Sequence, residues 1–128
     1  MKLLRENEIA EIIVDVAFQI HRALGPGLFE SVYEEIMFYE LKQLGLDVER
    51  QKTIPVIWKN LEMPLGFRSD LIVENKVIIE IKSIETLNPV HAKQLLTYLR
   101  LTDMKLGLLF NFNEPLLKYG IKRLVNNL

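Results

Sequence analysis

The sequence of 128 residues predicts a mixed α/β fold, and three of its patterns indicate this class. Two amphipathic helical patterns come first. Two strand patterns separated by a short polar loop follow, and they indicate an antiparallel hairpin. A helical pattern between two apolar strands comes last, and this order suggests a right-handed parallel crossover. We therefore expect helices packed on a sheet with both antiparallel and parallel neighbours.

Composition predicts an ordinary globular protein. Hydrophobic residues make up 49% of the chain and charged residues 26%, and a chain of this length is expected to form one domain over residues 1–128. The absence of cysteine excludes disulfides, thiolate nucleophiles and zinc–thiolate sites. No apolar run has the length of a signal peptide or a membrane span. We expect a cytoplasmic protein without a membrane partner.

Charge is distributed unevenly along the chain, although the net charge is only -1. Residues 1–49 carry 4 Lys/Arg and 10 Asp/Glu, whereas residues 50–128 carry 12 and 7, which gives net charges of -6 and +5. A polyanion would be attracted to the second part. This asymmetry permits nucleic-acid binding without requiring it.

The first two predicted helices form a pair. Apolar residues recur at helical spacing from Glu8 to Leu24, and Gly25-Pro26-Gly27 ends the pattern. A second helix is predicted from about Phe29 to Leu44. The residues predicted to face inward on it are Phe29, Val32, Tyr33, Ile36, Met37, Leu41 and Leu44.

The rest of the chain changes to strand periodicity. Residues 46–58 alternate, and Pro55 implies an edge strand or a bulge. The predicted order after this strand is turns at 59–66, a hairpin of strands at 67–73 and 77–83, a helix from Pro89 to about Leu101 capped by Asn88, and a strand at 105–112. The tail fits either an edge strand or a short helix.

The most apolar strand, VIIEIKS at 77–83, contains an acid and a base. Because side chains alternate along a strand, Glu80 and Lys82 share one face, roughly 7 Å apart. If residues 74–76 form a three-residue loop, Asp70 lies directly opposite Glu80. A two-residue turn at 75–76 would instead send Asp70 to the other face. The common alternative for a Glu-x-Lys pair is a surface ion pair.

Two opposed carboxylates destabilise a sheet unless a positive charge lies between them. Mg²⁺ prefers such oxygen ligands and needs only one or two carboxylates. Asp70 and Glu80 are therefore candidate ligands, with Lys82 placed to assist an attacking water or to stabilise charge on a phosphate. Arg68 follows the same face as Asp70 and could contact a phosphate. This set suits phosphodiester hydrolysis.

Two further groups of polar residues could contribute. Glu30 is predicted in the first turn of the second helix, on the same side as Tyr33, although a glutamate there is also favourable for the helix dipole. His91, Gln94 and Tyr98 form a stripe on the third helix. That stripe is either a solvated face or a set of phosphate contacts, and Gln94 could also contact a catalytic water.

The ordered motifs Gly27-Leu-Phe-Glu30-Ser-Val-Tyr33, Arg68-Ser-Asp70, Glu80-Ile-Lys82 and His91-x-x-Gln94-x-x-x-Tyr98 resemble a known family. The resemblance is to the GxxExxY protein family within the PD-(D/E)XK nuclease superfamily, and it covers nearly the whole chain. It implies a restriction-endonuclease-like fold, with a central mixed sheet of four to five strands flanked by helices. Ser69 stands where the superfamily has proline.

The resemblance also implies roles for individual residues. Asp70 and Glu80 would be ligands of Mg²⁺ or Mn²⁺, Lys82 the catalytic lysine, Glu30 an accessory carboxylate and metal ligand, and Gln94 a further catalytic residue. The expected contacts with nucleic acid are Arg68, His91, Tyr98 and Tyr33. The implied activity comes from the superfamily by analogy.

Three functions are compatible with these residues. The first is a metal-dependent nuclease acting on DNA, in which a homodimer or a partner protein would help one small site to address two strands. The second is a catalytically silent nuclease-fold module that binds nucleic acid or protein through Arg50, Lys52, Lys122 or Arg123. The third is a metal-dependent phosphoesterase acting on a small nucleotide.

Overall fold

The computed structural model describes residues 3–128, which form three α-helices, five strands and one short 3-10 helix. The elements in chain order are α1 (Glu6–Leu24), α2 (Glu30–Gln43), β1 (Val48–Trp58), β2 (Leu61–Val73), β3 (Val77–Lys82), α3 (Pro89–Thr102), β4 (Leu106–Asn111), the 3-10 helix (Leu117–Gly120) and β5 (Ile121–Val125). The predicted helices are confirmed with ends within two residues. The tail combines a short helix and an edge strand.

The five strands form one mixed sheet in the order β1-β2-β3-β4-β5. β3 and β4 are parallel, and α3 connects them, whereas all other neighbours are antiparallel. The predicted mixed α/β class and the parallel crossover are therefore confirmed. Within residues 3–128, no helix is both long enough and apolar enough to span a membrane.

The sheet separates two apolar cores. α1 and α2 cover one face, where they pack on Ile79, Ile81 and other buried residues of the sheet. α3 covers the opposite face through Leu95 and Leu99, which pack near Ile78. Glu80 and Lys82 alternate with Ile79 and Ile81 along β3 and thus belong to the face covered by α3.

The β2–β3 hairpin has the three-residue loop that places Asp70 beside Glu80. Val73 pairs with Val77, and the register continues through Ile72 with Ile78. Glu74 and Asn75 both adopt a left-handed φ of 54°, which suits a short connection whose strands must reverse direction. The alternative two-residue turn is excluded by this register.

The predicted turns at residues 59–66 are wrong, because most of this segment is strand. Trp58 pairs with Leu61 across a two-residue turn, and β2 then runs continuously to Val73. The first part of β2 pairs with β1 alone, and Leu61 is 59% exposed. A strand without a buried face needs no apolar alternation, and this explains the missing signal.

Pro55 lies in an edge strand and also at a bulge, the two positions that a proline in a strand implied. β1 is an edge strand, and its register with β2 shifts between Ile54 and Val56. Gly66 lies at this bulge, where a Cβ atom would lie 1.7 Å from the Ile54 carbonyl oxygen. The close approach of the two backbones at the bulge therefore requires glycine.

The inward face of α2 differs from the predicted one. Tyr33, Met37 and Leu41 are buried as expected, whereas Glu34 is buried in place of an apolar residue. Three residues predicted to face inward are exposed: Phe29, Val32 and Leu44.

Candidate active site

Asp70 and Glu80 meet where β2 and β3 stop pairing. The last paired residues are Leu71 and Ile79. Asp70 is the next residue on β2, and its Oδ2 atom accepts a hydrogen bond of 2.7 Å from the Ile81 backbone N–H. A side-chain carboxylate thus takes over a donor of β3, which satisfies a buried backbone group and holds Asp70 against the strand that carries Glu80.

The Glu80 carboxyl group is buried and incompletely satisfied. Glu80 is 8% exposed, and its Oε1 atom has no hydrogen-bond partner among the described residues. Burial raises the pKa of Glu80 to about 9, with a further contribution from the neighbouring Asp70 carboxylate, while Lys82 acts in the opposite direction. Without a bound cation, Glu80 is therefore protonated at neutral pH.

A divalent cation fits the donor set of these two residues. Two carboxyl groups approach each other, and one buried oxygen lacks a partner. A hard cation with a partial water shell would offset the repulsion between two ionised carboxylates and would also bind the unpartnered Glu80 oxygen. Asp70 and Glu80 are therefore the residues suited to hold Mg²⁺ or Mn²⁺.

Glu30 does not join this pair as a third carboxylate. Its Oε1 atom accepts a hydrogen bond of 3.2 Å from the Ser83 backbone N–H. Across residues 3–128, no three Asp, Glu or His side chains are grouped closely enough to hold a metal ion together. The structure thus places Glu30 at the end of β3, where it connects the start of α2 to the residue that follows this strand.

Lys82 completes the row of polar residues on β3. It is half-buried, pairs with Asn111 of β4, and its carbonyl accepts a hydrogen bond from the Phe112 N–H at 2.9 Å. The ammonium group forms no hydrogen bond or ion pair with any other residue in the part of the chain that the structure describes. Its position is fixed by the sheet while its charge remains available to a ligand.

α3 brings Tyr98 close to the carboxyl pair. Burial raises the pKa of the Tyr98 phenol, and the nearby Glu80 and Asp70 carboxylates add to this increase. The ring stacks on Phe67 of β2. Gln94 lies one turn earlier on the same helix and is exposed.

His91 lies in the first turn of α3, and Arg68 lies on β2, two residues before Asp70. The His91 Nδ1 atom accepts a hydrogen bond of 3.2 Å from the Asn88 N–H, and it thereby stabilises the start of α3. Arg68 is exposed on β2, opposite Thr53 of β1. Both remain predicted contacts with nucleic acid.

The prediction that Tyr33 contacts nucleic acid is wrong in this fold. Tyr33 is 0% exposed and stacks on Phe112, with ring centroids 4.4 Å apart. Its hydroxyl donates to the Gly25 carbonyl at 2.6 Å and accepts from the Leu28 N–H at 3.2 Å. The tyrosine therefore fixes the loop that precedes α2 and, through it, the position of Glu30.

The sequence did not indicate a second group of residues beside Asp70. Glu34 of α2 is 6% exposed, and its carboxylate pairs with the Arg50 Nε atom at 2.7 Å and with the Gln51 amide. Gln51 also contacts Asp70. The available signal was the i, i+4 spacing of Glu30 and Glu34, which places both on one side of the helix.

The mixed sheet thus brings two carboxyl groups and a lysine together at the point where β2 and β3 stop pairing. The family model of the PD-(D/E)XK nuclease superfamily matches residues 7–124, a range that includes Asp70, Glu80 and Lys82. The chain belongs to this superfamily. Comparisons with curated proteins and with solved structures found no match.

Proposed function

We propose that this protein is a Mg²⁺- or Mn²⁺-dependent nuclease that hydrolyses phosphodiester bonds of DNA. The observation that carries the proposal is the Asp70–Glu80 pair, in which one buried carboxyl oxygen lacks any partner. An unsatisfied buried oxygen beside a second carboxylate is costly in a purely structural role. It is expected where a cation completes the site.

Each residue of the candidate site has its own role in this proposal. Asp70 and Glu80 would hold the cation, which when bound acts as a Lewis acid toward the phosphate. The Ile81 N–H orients Asp70, and Glu80 would have to release its proton to solvent in order to hold the cation. The Lys82 ammonium orients the attacking water and stabilises the negative charge that develops on the phosphate.

Peripheral residues would hold the nucleic acid. Gln94, one turn before Tyr98 on α3, would be the further catalytic residue. Arg68 and His91 would contact neighbouring phosphates, and Tyr98 would contact the substrate beside the carboxyl pair. The excess of Lys/Arg in residues 50–128 supports a polyanionic substrate.

We further propose membership of the GxxExxY family within the superfamily, on the basis of Gly27, Glu30 and Tyr33. Glu30 would act as an accessory carboxylate from its position beside the end of β3, next to the Asp70–Glu80 pair and without being a third ligand of the same cation. A homodimer, or a partner protein, would supply the second site needed for both strands of a duplex.

Cleavage assays with single-stranded, duplex and branched DNA test the nuclease directly. We expect cleavage with Mg²⁺ or Mn²⁺ and none with EDTA. The variant Lys82→Met keeps the aliphatic stem and should lose at least about 100-fold in rate while still binding metal. Lys105→Met is the matched control, because Lys105 is an exposed lysine that precedes β4, at the opposite end of this strand from the partner of Lys82.

Two outcomes would contradict the proposal. One is the absence of cleavage together with the absence of metal binding. The other is cleavage that Lys82→Met leaves unchanged. Metal binding at Asp70 without cleavage of any DNA would instead favour the catalytically silent module.

A further inference from the structure

Gln51 has an unusual backbone conformation for a strand residue. Its φ is 53°, in the left-handed region, although it lies within β1 between Arg50, which pairs with Leu71, and Lys52, which pairs with Ser69. This conformation is unfavourable for a residue with a Cβ atom and is rare inside strands. A conformation of this kind persists where the surrounding structure fixes it, often at a functional site.

The side chain of Gln51 connects two carboxylates. Its Nε2 atom donates to Glu34 Oε1 at 2.5 Å and to Asp70 Oδ1 at 3.3 Å. A glutamine amide has two N–H donors on that nitrogen, so both bonds can form at once. The reverse amide orientation would direct the carbonyl oxygen at two carboxylates, and this fixes the orientation.

Glu34 provides a firm anchor for this amide. It is buried on α2, and its other oxygen accepts a bond of 2.7 Å from the Arg50 Nε atom. Although Gln51 is itself exposed to solvent, its amide is held between the partly buried Glu34–Arg50 ion pair and Asp70. The contacts thus link α2, β1 and β2 in one chain of hydrogen bonds.

We propose that Gln51 is a positioning residue for the metal ligand Asp70, and that Glu34 fixes Gln51 for this task. The inference rests on the proposed function, because it assigns Asp70 to a metal site. Each oxygen of Asp70 then receives one N–H donor, from Gln51 on Oδ1 and from Ile81 on Oδ2. One lone pair on each oxygen remains for a cation.

The orientation of Asp70 matters because a shared cation would need an oxygen from each of the two carboxyl groups. Ile81 holds Oδ2 of Asp70 against β3, and the Gln51 amide holds Oδ1 from the side of β1. The two donors together limit rotation of the Asp70 carboxylate. Partners of metal-ligating side chains typically change metal affinity by about 10- to 100-fold when they are removed.

The substitution Gln51→Gly separates positioning from a structural role. Glycine adopts a φ of 53° without steric cost, so the melting temperature of the metal-free variant should equal or exceed that of the wild type. Its Kd for Mn²⁺, measured by isothermal titration calorimetry, should rise about 10-fold or more. The control is Lys59→Gly, which removes a side chain at φ 55° in the β1–β2 turn and should leave Mn²⁺ binding unchanged.

Gln51→Asn provides a second variant, since asparagine tolerates the left-handed backbone but is one methylene too short to span both carboxylates. We expect it to weaken Mn²⁺ binding as well. The inference is overturned if both variants keep the wild-type Kd within twofold, or if both lose Mn²⁺ only together with a melting temperature reduced by more than about 5 °C.

Asp70→Asn distinguishes failure of this inference from failure of the proposed function. If the wild type binds Mn²⁺ and Asp70→Asn abolishes binding while both Gln51 variants retain it, the metal site stands and the role of Gln51 is refuted. If the wild-type protein binds no Mn²⁺, the proposed function and this inference are both refuted.

Discussion

At the scale of single residues, the site is organised by a conflict of charge. Asp70 takes over a backbone donor of β3 and comes within reach of Glu80, whose buried oxygen has no partner. A proton on Glu80 relieves the conflict in the absence of metal, and under our proposal a divalent cation would relieve it when bound. The two carboxyl groups already lie together in the structure, so binding would not require them to be brought together.

The raised pKa of Glu80 has a consequence for stability. Glu80 binds a proton up to about pH 9 in the folded protein but only up to about 4.5 in the unfolded chain. Between these values the folded state holds more protons, so raising the pH lowers the free energy of unfolding, by up to about 1.4 kcal/mol per pH unit. Glu80→Gln removes this dependence.

Urea denaturation in EDTA at pH 6 and pH 9 measures the effect. The wild type should lose about 2–4 kcal/mol more between these values than Glu80→Gln does. Glu62→Gln, at an exposed carboxylate on β2, should follow the wild type. Parallel profiles for wild type and Glu80→Gln would contradict the assignment of a buried, protonated Glu80.

The sequence predicted that Asp70, Glu80 and Lys82 lie on one face of two neighbouring strands, because strand alternation and loop length are local properties. This prediction depended on the register through residues 74–76, since a two-residue turn would have moved Asp70 to the other face. Gln51 could not be found in this way. Its contact with Asp70 depends on a left-handed residue that interrupts the alternation of β1, and no period in the sequence encodes such an interruption.

At the scale of elements, the parallel crossover determines which helix faces the site. α3 connects β3 to β4 on the face that carries Glu80, and it approaches β4 closely at Gly107. A Cβ atom at Gly107 would lie 2.9 Å from the Leu95 Cγ atom. Because Leu95 directly follows Gln94, the small residue on β4 sets the distance of the polar helix face from the sheet.

Gly107→Ala should therefore destabilise the protein by about 1–3 kcal/mol through overpacking. Leu95→Ala alone leaves a cavity and should cost about 2–5 kcal/mol. The double variant should be more stable than the sum of the two effects predicts, because the smaller residue makes room for the new methyl group. Denaturant titration checks this, and strict additivity would show that the two residues do not limit the packing of α3.

Helices and most strands were predictable at this scale, whereas the exposed first part of β2 was not. The start of α3 follows from Asn88 and Pro89, whose cap and first-turn roles are local. The segment at 61–66 became a strand only because β1 was available to pair with it. Likewise, Glu34 replaced an apolar residue in the inward face of α2 because Arg50 lies opposite to neutralise it.

At the scale of the whole molecule, DNA binding by the proposed nuclease should be sensitive to salt, because residues 50–128 carry an excess of positive charge. An enzyme that contacts several phosphates should lose affinity steeply as salt rises, with a slope of log K against log salt of about -2 or steeper. An enzyme for a small nucleotide should show a slope of about -1 or weaker.

Fluorescence anisotropy with labelled DNA and Lys82→Met measures this slope. Arg68→Gln should make it less negative by about 1 if Arg68 contacts one phosphate. Lys118→Gln, at an exposed lysine in the 3-10 helix, is the matched control and should leave the slope unchanged. A slope near zero for the Lys82→Met protein with Arg68 intact would contradict a DNA substrate.

The central claim is that Asp70 and Glu80 share one divalent cation. A crystal grown at pH 8 and soaked in Mn²⁺ tests it most directly, because manganese gives an anomalous signal that locates the ion. The account predicts one anomalous peak within about 2.0–2.4 Å of an oxygen of each carboxylate. The absence of a peak there at millimolar Mn²⁺, or a peak that contacts neither residue, would contradict it.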